Sequence, residues 1–176
     1  MGLRGETAEH PLPGLSWRPM TSADLDGVVR VAALGFPDHF EDRACFENRL
    51  TLNPSGCSVL AGKAGVVGYL IAYPWRDGEI PPLNTWIEAL PSDADRLYLH
   101  DLALDPAIRG GGHAATAIER LVGQARKDGW PAISLVAVND AAPFWARHRF
   151  EVVESPALAA RLASYGPDAR YMVRPL

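Results

Sequence analysis

The chain has 176 residues, 48% of them apolar, and 17 basic against 21 acidic side chains give a formal net charge of −4. That length suits one domain with its own core, and without a Lys/Arg block nucleic acid is not expected as a main partner. Cys45 and Cys57 have neither CxxC spacing nor a neighbouring His cluster, so neither a disulfide framework nor a metal site is expected.

Residues 1–14 are rich in Gly, Pro and charge and read as a loose tail ahead of a single domain over 15–176. They lack the apolar core of a signal peptide, and no apolar run approaches the ~20 residues of a membrane span. A soluble cytoplasmic protein is the expectation.

"LSWRPM" (15–20) predicts a first strand, with Thr21 or Ser22 capping a helix over about 22–34, where Leu25, Val28, Val29, Ala32 and Ala33 recur at helical spacing. A second helix is predicted over about 40–51, ended by "NPSG". "CSVLAG" and "VVGYLIAYPW" flank a turn-like "KAG" and predict a hairpin. Residues 76–95 carry Pro, Gly and acidic residues and predict a long loop, either a lid or a surface excursion.

"RLYLHDLAL" (96–104) predicts a buried strand ended by Asp105-Pro106. A helix over 111–128 with Gly129 just beyond it comes next, then a strand over 132–138. Strand, glycine loop, helix and strand make a βαβ unit with a parallel pair. "NDAAPFWARHRF" predicts a short helix capped by Asp140, and 150–153 and 170–175 predict closing strands.

"RGGGHA" (109–114) sits between a strand and a helix N-terminus, where free N–H groups and the helix dipole favour an anion. Glycines let a phosphate approach the backbone, and Arg109 adds a charged fork. The alternative is a tight turn serving only the backbone. Neither GxxxxGK[ST] nor an early GxGxxG occurs.

"LYLHDLALDPAIRGGGHA" resembles the acyl-CoA signature [RQ]-x-x-G-x-[GA] of the GNAT superfamily of N-acetyltransferases, with Arg109, Gly112 and Ala114 in its defined places. "NDAAPFWARHRF" is similar to that family's N-x-x-A-x-x-F-Y-x-x-x-G-F segment, and the element order over 15–175 fits as well. The resemblance implies an α/β fold with a mixed, twisted central sheet of about six to seven strands flanked by about four helices. It implies acetyl-CoA as cosubstrate and acetyl transfer to a primary amine of a small molecule or peptide, by direct attack in a ternary complex. Many relatives pair as homodimers.

By the same resemblance the pyrophosphate rests on the backbone of Gly110, Gly111, Gly112, His113 and Ala114, with Arg109 at the mouth. The pantetheine arm runs along Leu102, Ala103 and Leu104, where the strands 97–104 and 132–138 splay, and Asn139, Phe144 and Trp145 help to hold the cofactor. The His113 side chain is expected to point to solvent.

Amide formation requires a proton acceptor for the amine. Alternation places Tyr98, His100, Leu102 and Leu104 on one strand face and Asp101 on the other. His100 is the candidate base, since imidazole can be neutral at pH 7; Asp101 is the rival, and an amine that arrives deprotonated needs neither. Trp145 stands at the family's usual tyrosine and donates without being an acid, so Tyr165 or Tyr98 is the candidate acid, or CoA leaves as thiolate. Arg149 replaces a capping glycine of the family. Asp77, Glu79, Glu88, Asp93 and Asp95, with Trp75 and Trp86, could attract and stack on a cationic acceptor. A non-catalytic acyl-CoA-binding module and a nucleotide-binding domain are the competing readings.

Overall fold

The computed structural model describes residues 14–176, so the expected tail lies almost wholly outside the described residues. Seven strands form one sheet in the order β1-β2-β3-β4-β5-β7-β6. They are β1 (Ser16–Pro19), β2 (Cys57–Gly62), β3 (Gly65–Trp75), β4 (Arg96–Leu104), β5 (Ala132–Ala137), β6 (Glu151–Val152) and β7 (Arg170–Pro175). Every neighbouring pair is antiparallel except β4 and β5, which are parallel as the βαβ pattern requires.

The helices are α1 (Leu25–Gly35), α2 (Arg43–Leu52), α3 (His113–Lys127), α4 (Ala142–Arg147) and α5 (Pro156–Leu162). α5 is one helix more than the pattern predicts. Its signal is local: Ser155 accepts the Leu158 N–H at 3.1 Å and Pro156 fills the first helical position. The predicted first helix starts as a 3₁₀ turn at Ser22–Asp24, where the Asp24 carboxylate takes the Thr21 N–H at 2.8 Å and both terminal nitrogens of Arg18. Asp140 does not cap α4. It adopts φ +58° after Asn139 at +54° and donates its N–H to Asp168, while Ala141 occupies the cap. Arg149 does take the left-handed cap a glycine would favour, at φ +66°, a strain of roughly 1–2 kcal/mol.

The sheet separates two apolar layers. On one face α3, Trp145 and Phe150 cover Leu97, Leu99 and Leu135; on the other α1 and Phe46 of α2 cover Tyr69, Ile71 and Tyr73. α1 lies close because Gly27 faces Val66, where an added Cβ would come within 2.8 Å of the valine Cβ.

Two irregularities set β4 apart from a regular strand. First, Ile71 pairs with Asp101 and Ala72 with Leu99, which leaves His100 as a β-bulge. Second, β4 and β5 pair only at Leu97 with Ile133 and Tyr98 with Ser134. Beyond Tyr98 they part.

Candidate active site

The bulge overturns the simple alternation. Without it His100 and Asp101 would face opposite ways; with it both meet the tyrosines of β3 on one face. Tyr69 donates to Asp101 Oδ2 at 2.9 Å, and the His100 ring lies 5.9 Å from that of Tyr73. Leu102, expected to share the face of His100, packs with Leu104 against the opposite layer.

The loop between α1 and α2 adds Glu41, which sequence reasoning missed. Its Oε1 stands 2.7 Å from His100 Nε2, and its Oε2 accepts the Asn84 N–H at 3.3 Å. The second helix is predicted from about residue 40, but α2 begins at Arg43 and leaves Glu41 in the loop ahead of it, where it is only 7% exposed. Asp101 Oδ2 lies 3.9 Å from His100 Nε2 on the other side.

Two carboxylates around one imidazole decide its charge. Burial disfavours imidazolium, but Asp101 and Glu41 outweigh it and the His100 pKa is raised. Both carboxylates thus favour a proton on His100, which works against the neutral imidazole that a base role needs. Burial pushes Glu41 up, but the charge and hydrogen bond of His100 bring it below the usual range. Burial raises Asp101 to about 6, opposed by the charge of His100 and reinforced by that of Glu41. Asp101, pushed up to about 6, joins His100 as a group able to exchange a proton.

One ligand atom from each of the three lies within 4.8 Å of the others, a grouping able to hold a metal ion. The 2.7 Å contact of Glu41 and His100 is that of a direct hydrogen bond. Two ligands each ~2.0–2.2 Å from a zinc ion stand farther apart.

The three line a chamber of about 140 Å³ that Tyr165 and Trp145 also border. Tyr165 donates its phenol to the Pro81 carbonyl, and burial raises its pKa, so it ties the C-terminal segment to the 76–95 loop. Trp145 is buried between Phe144 and Phe150.

A larger cleft of about 700 Å³ opens at the splay of β4 and β5 and joins the chamber through Phe36, Leu102, Val138, Ala141 and Phe144. Arg109, Gly110, Gly112, His113 and Ala114 form one wall. Leu102, Ala103 and Leu104 meet Asn139 and Phe144 across it. Arg147 and His148, not picked out from the sequence, line it too, and no carboxylate does. The field suits an anion.

The three glycines have separate reasons. Gly110 and Gly112 are left-handed at φ +87° and +77°, and open space surrounds the missing Cβ of Gly112. Gly111 lies outside the cleft and makes room for His113, whose ring would be 3.1 Å from a Cβ there. His113 is the second correction: it is 5% exposed, not turned to solvent, and its buried Nε2 has no partner.

The acidic loop does not form the acceptor pocket the sequence suggests. Arg76 pairs with Asp93 at 2.8 Å and Glu79 at 3.2 Å, and Arg96 with Asp77 at 3.0 Å and Asp95 at 3.5 Å. Trp75 packs on Tyr73, Trp86 is 59% exposed, and the loop lends the chamber Leu83. Asn48 grips Ile87 by both its N–H and its carbonyl, which holds the loop to α2.

The sequence matches the family model "Acetyltransferase (GNAT) family" over residues 24–150. No curated protein matches it. Among solved structures, Ard1 from Thermoplasma volcanium is similar with a TM-score of 0.71 and 15% identity over 93% of this chain and 98% of that one. Arabidopsis thaliana Naa50, in complex with the bisubstrate analogue CoA-Ac-MVNAL, has a TM-score of 0.67 and 16% identity over 91% and 97%. N-acetylglutamate synthase from Neisseria gonorrhoeae, complexed with coenzyme A and N-acetyl-glutamate, has a TM-score of 0.66 and 19% identity over 92% of this chain and 35% of that one. At these identities the likeness is one of fold. Among the described residues no helix is long and apolar enough to cross a membrane.

Proposed function

Because the chain belongs to the GNAT acetyltransferase family, we propose that its one domain, residues 15–176, transfers an acetyl group from acetyl-CoA to a primary amine by direct attack in a ternary complex. The observation that carries this reading is the continuity of the basic, glycine-walled cleft with the chamber that holds Glu41, His100 and Asp101.

Acetyl-CoA lies with its pyrophosphate on the free N–H groups at the start of α3. Gly112 leaves space there, and Arg109 and Arg147 supply positive charge. The pantetheine arm takes the unpaired edge of β4 beside Leu102 and Leu104, and the thioester reaches the chamber. The arriving ammonium gives a proton to Asp101, whose pKa of about 6 leaves it ionised at pH 7. The amine nitrogen then attacks the thioester carbonyl carbon, an N–C bond forms, the C–S bond breaks, and the second proton of the nitrogen passes to water. Trp145 offers a donor but no acid, so CoA departs as thiolate, a species within reach for a thiol of pKa ~8.5.

His100, held by its hydrogen bond to Glu41, keeps the Asp101 pKa from rising further, against the push of the Glu41 charge. Isothermal titration with acetyl-CoA, ATP and NAD tests the reading. Binding of acetyl-CoA alone is expected, with CoA released once an amine is added. Absence of acetyl-CoA binding would overturn the assignment, and binding without turnover of any amine would leave an acyl-CoA sensor in its place.

A further inference from the structure

Behind the chamber lies a third cavity of about 200 Å³, under α1. It shares Phe36, His39, Glu41 and Asp101 with the chamber. Beyond those residues its wall is aliphatic and aromatic, built by Val29, Ala32, Ala33 and Phe46, with the 68% exposed Phe40 also on its lining.

Glu41 and Asp101 present carboxylates. His39 Nε2 donates to the Tyr165 carbonyl at 2.8 Å, and its buried Nδ1 has no partner among the described residues. No Lys or Arg lines either cavity. The buried Arg49, hydrogen-bonded to Asn48 and Thr85, acts on both carboxylates through its charge.

We propose that the acceptor is a primary amine bearing one apolar substituent of about side-chain size. The inference rests on the acetyl-transfer reading and names its substrate class. The ammonium lies at the junction against the carboxylates of Glu41 and Asp101, and the substituent fills the cavity under α1. A second ammonium, as on a polyamine, would lie against alkyl walls at a large desolvation cost. The volume, below the ~300–1,000 Å³ of sites for drug-sized ligands, fits one aryl or branched alkyl group.

The test monitors CoA release by the full chain at saturating acetyl-CoA with 2-phenylethylamine, isoamylamine, the peptide Leu-Gly-Gly, spermidine and glutamate. The apolar amines should exceed spermidine and glutamate at least tenfold in kcat/KM, and the peptide arm separates a free amine from a peptide N-terminus. Ala32→Asp, and Ala33→Asp at an exposed position should the first fail to fold, should cut kcat/KM for 2-phenylethylamine tenfold or more. Acetyl-CoA affinity should be unchanged in both. Preference for spermidine or glutamate, or no turnover by a protein that binds acetyl-CoA, overturns the substrate class. Failure to bind acetyl-CoA overturns the reading beneath it.

Discussion

Asp101 carries the clearest tension between stability and use. Its pKa of about 6 lies above the 3.8 of an unperturbed aspartate, so the folded state binds this proton more tightly than the unfolded chain does. Stability from this residue is fullest below pH 4 and is lost as pH rises through 6, where the buried carboxylate must ionise. Asp101→Asn should therefore stabilise the protein at pH 7, by about 1–3 kcal/mol, while lowering kcat ~10²–10⁴-fold. Urea unfolding and a steady-state assay on the same samples check both. In the wild type kcat/KM should rise with pH through a limb near 6. Removing the positive neighbour by His100→Gln should move that limb upward and keep it, because His100 lowers the Asp101 pKa. Disappearance of the limb in His100→Gln would return the base role to the imidazole. The sequence shows both candidates but not their order, since a one-residue bulge and a glutamate 59 residues away decide which of them is free to accept a proton.

Elements with strong periodicity were the legible ones. α3 runs His113–Lys127 against a predicted 111–128, β5 ends one residue short of its expectation, and the β2–β3 hairpin is as its turn implies. What escaped depends on contacts far apart in the chain. Bulges answer to sheet curvature rather than to residue type, and the pairing of Arg76 and Arg96 with loop carboxylates is invisible until the loop folds back. The seat of α1 is of this kind. Propensity alone says Gly27→Ala should gain about 0.8–1.0 kcal/mol, but the new Cβ would stand 2.8 Å from Val66 Cβ, on a strand that cannot retreat. Overpacking of this sort costs ~1–3 kcal/mol, so the variant should be less stable by about 1 kcal/mol in denaturant unfolding. Because α1 ends at Phe36, which lines all three cavities, Gly27→Ala should also raise KM for the amine.

At the scale of the molecule, the parting of β4 from β5 turns a closed sheet into an enzyme scaffold. The parallel pair is held at Leu97 and Tyr98 and released beyond them, so one strand edge is left to a ligand while α3 presents its N-terminus at the same opening. β7 and β3 brace the two strands from outside, which keeps the gap from closing without filling it. Binding there should consequently stabilise the whole sheet. At a concentration 100 times its Kd, acetyl-CoA should contribute about 2.7 kcal/mol, a rise in Tm of about 5–10 °C for a domain of this size. Gly112→Val separates this linkage from the fold itself. The left-handed φ of +77° costs a β-branched residue at least ~1–2 kcal/mol, so Tm falls by a few degrees, but nothing surrounds the missing Cβ except the cleft. The variant should thus fold with a normal far-UV spectrum and show no Tm rise with acetyl-CoA. A rise equal to that of the wild type would mean that the ligand does not rest on the glycine loop and that the opening between β4 and β5 serves something else.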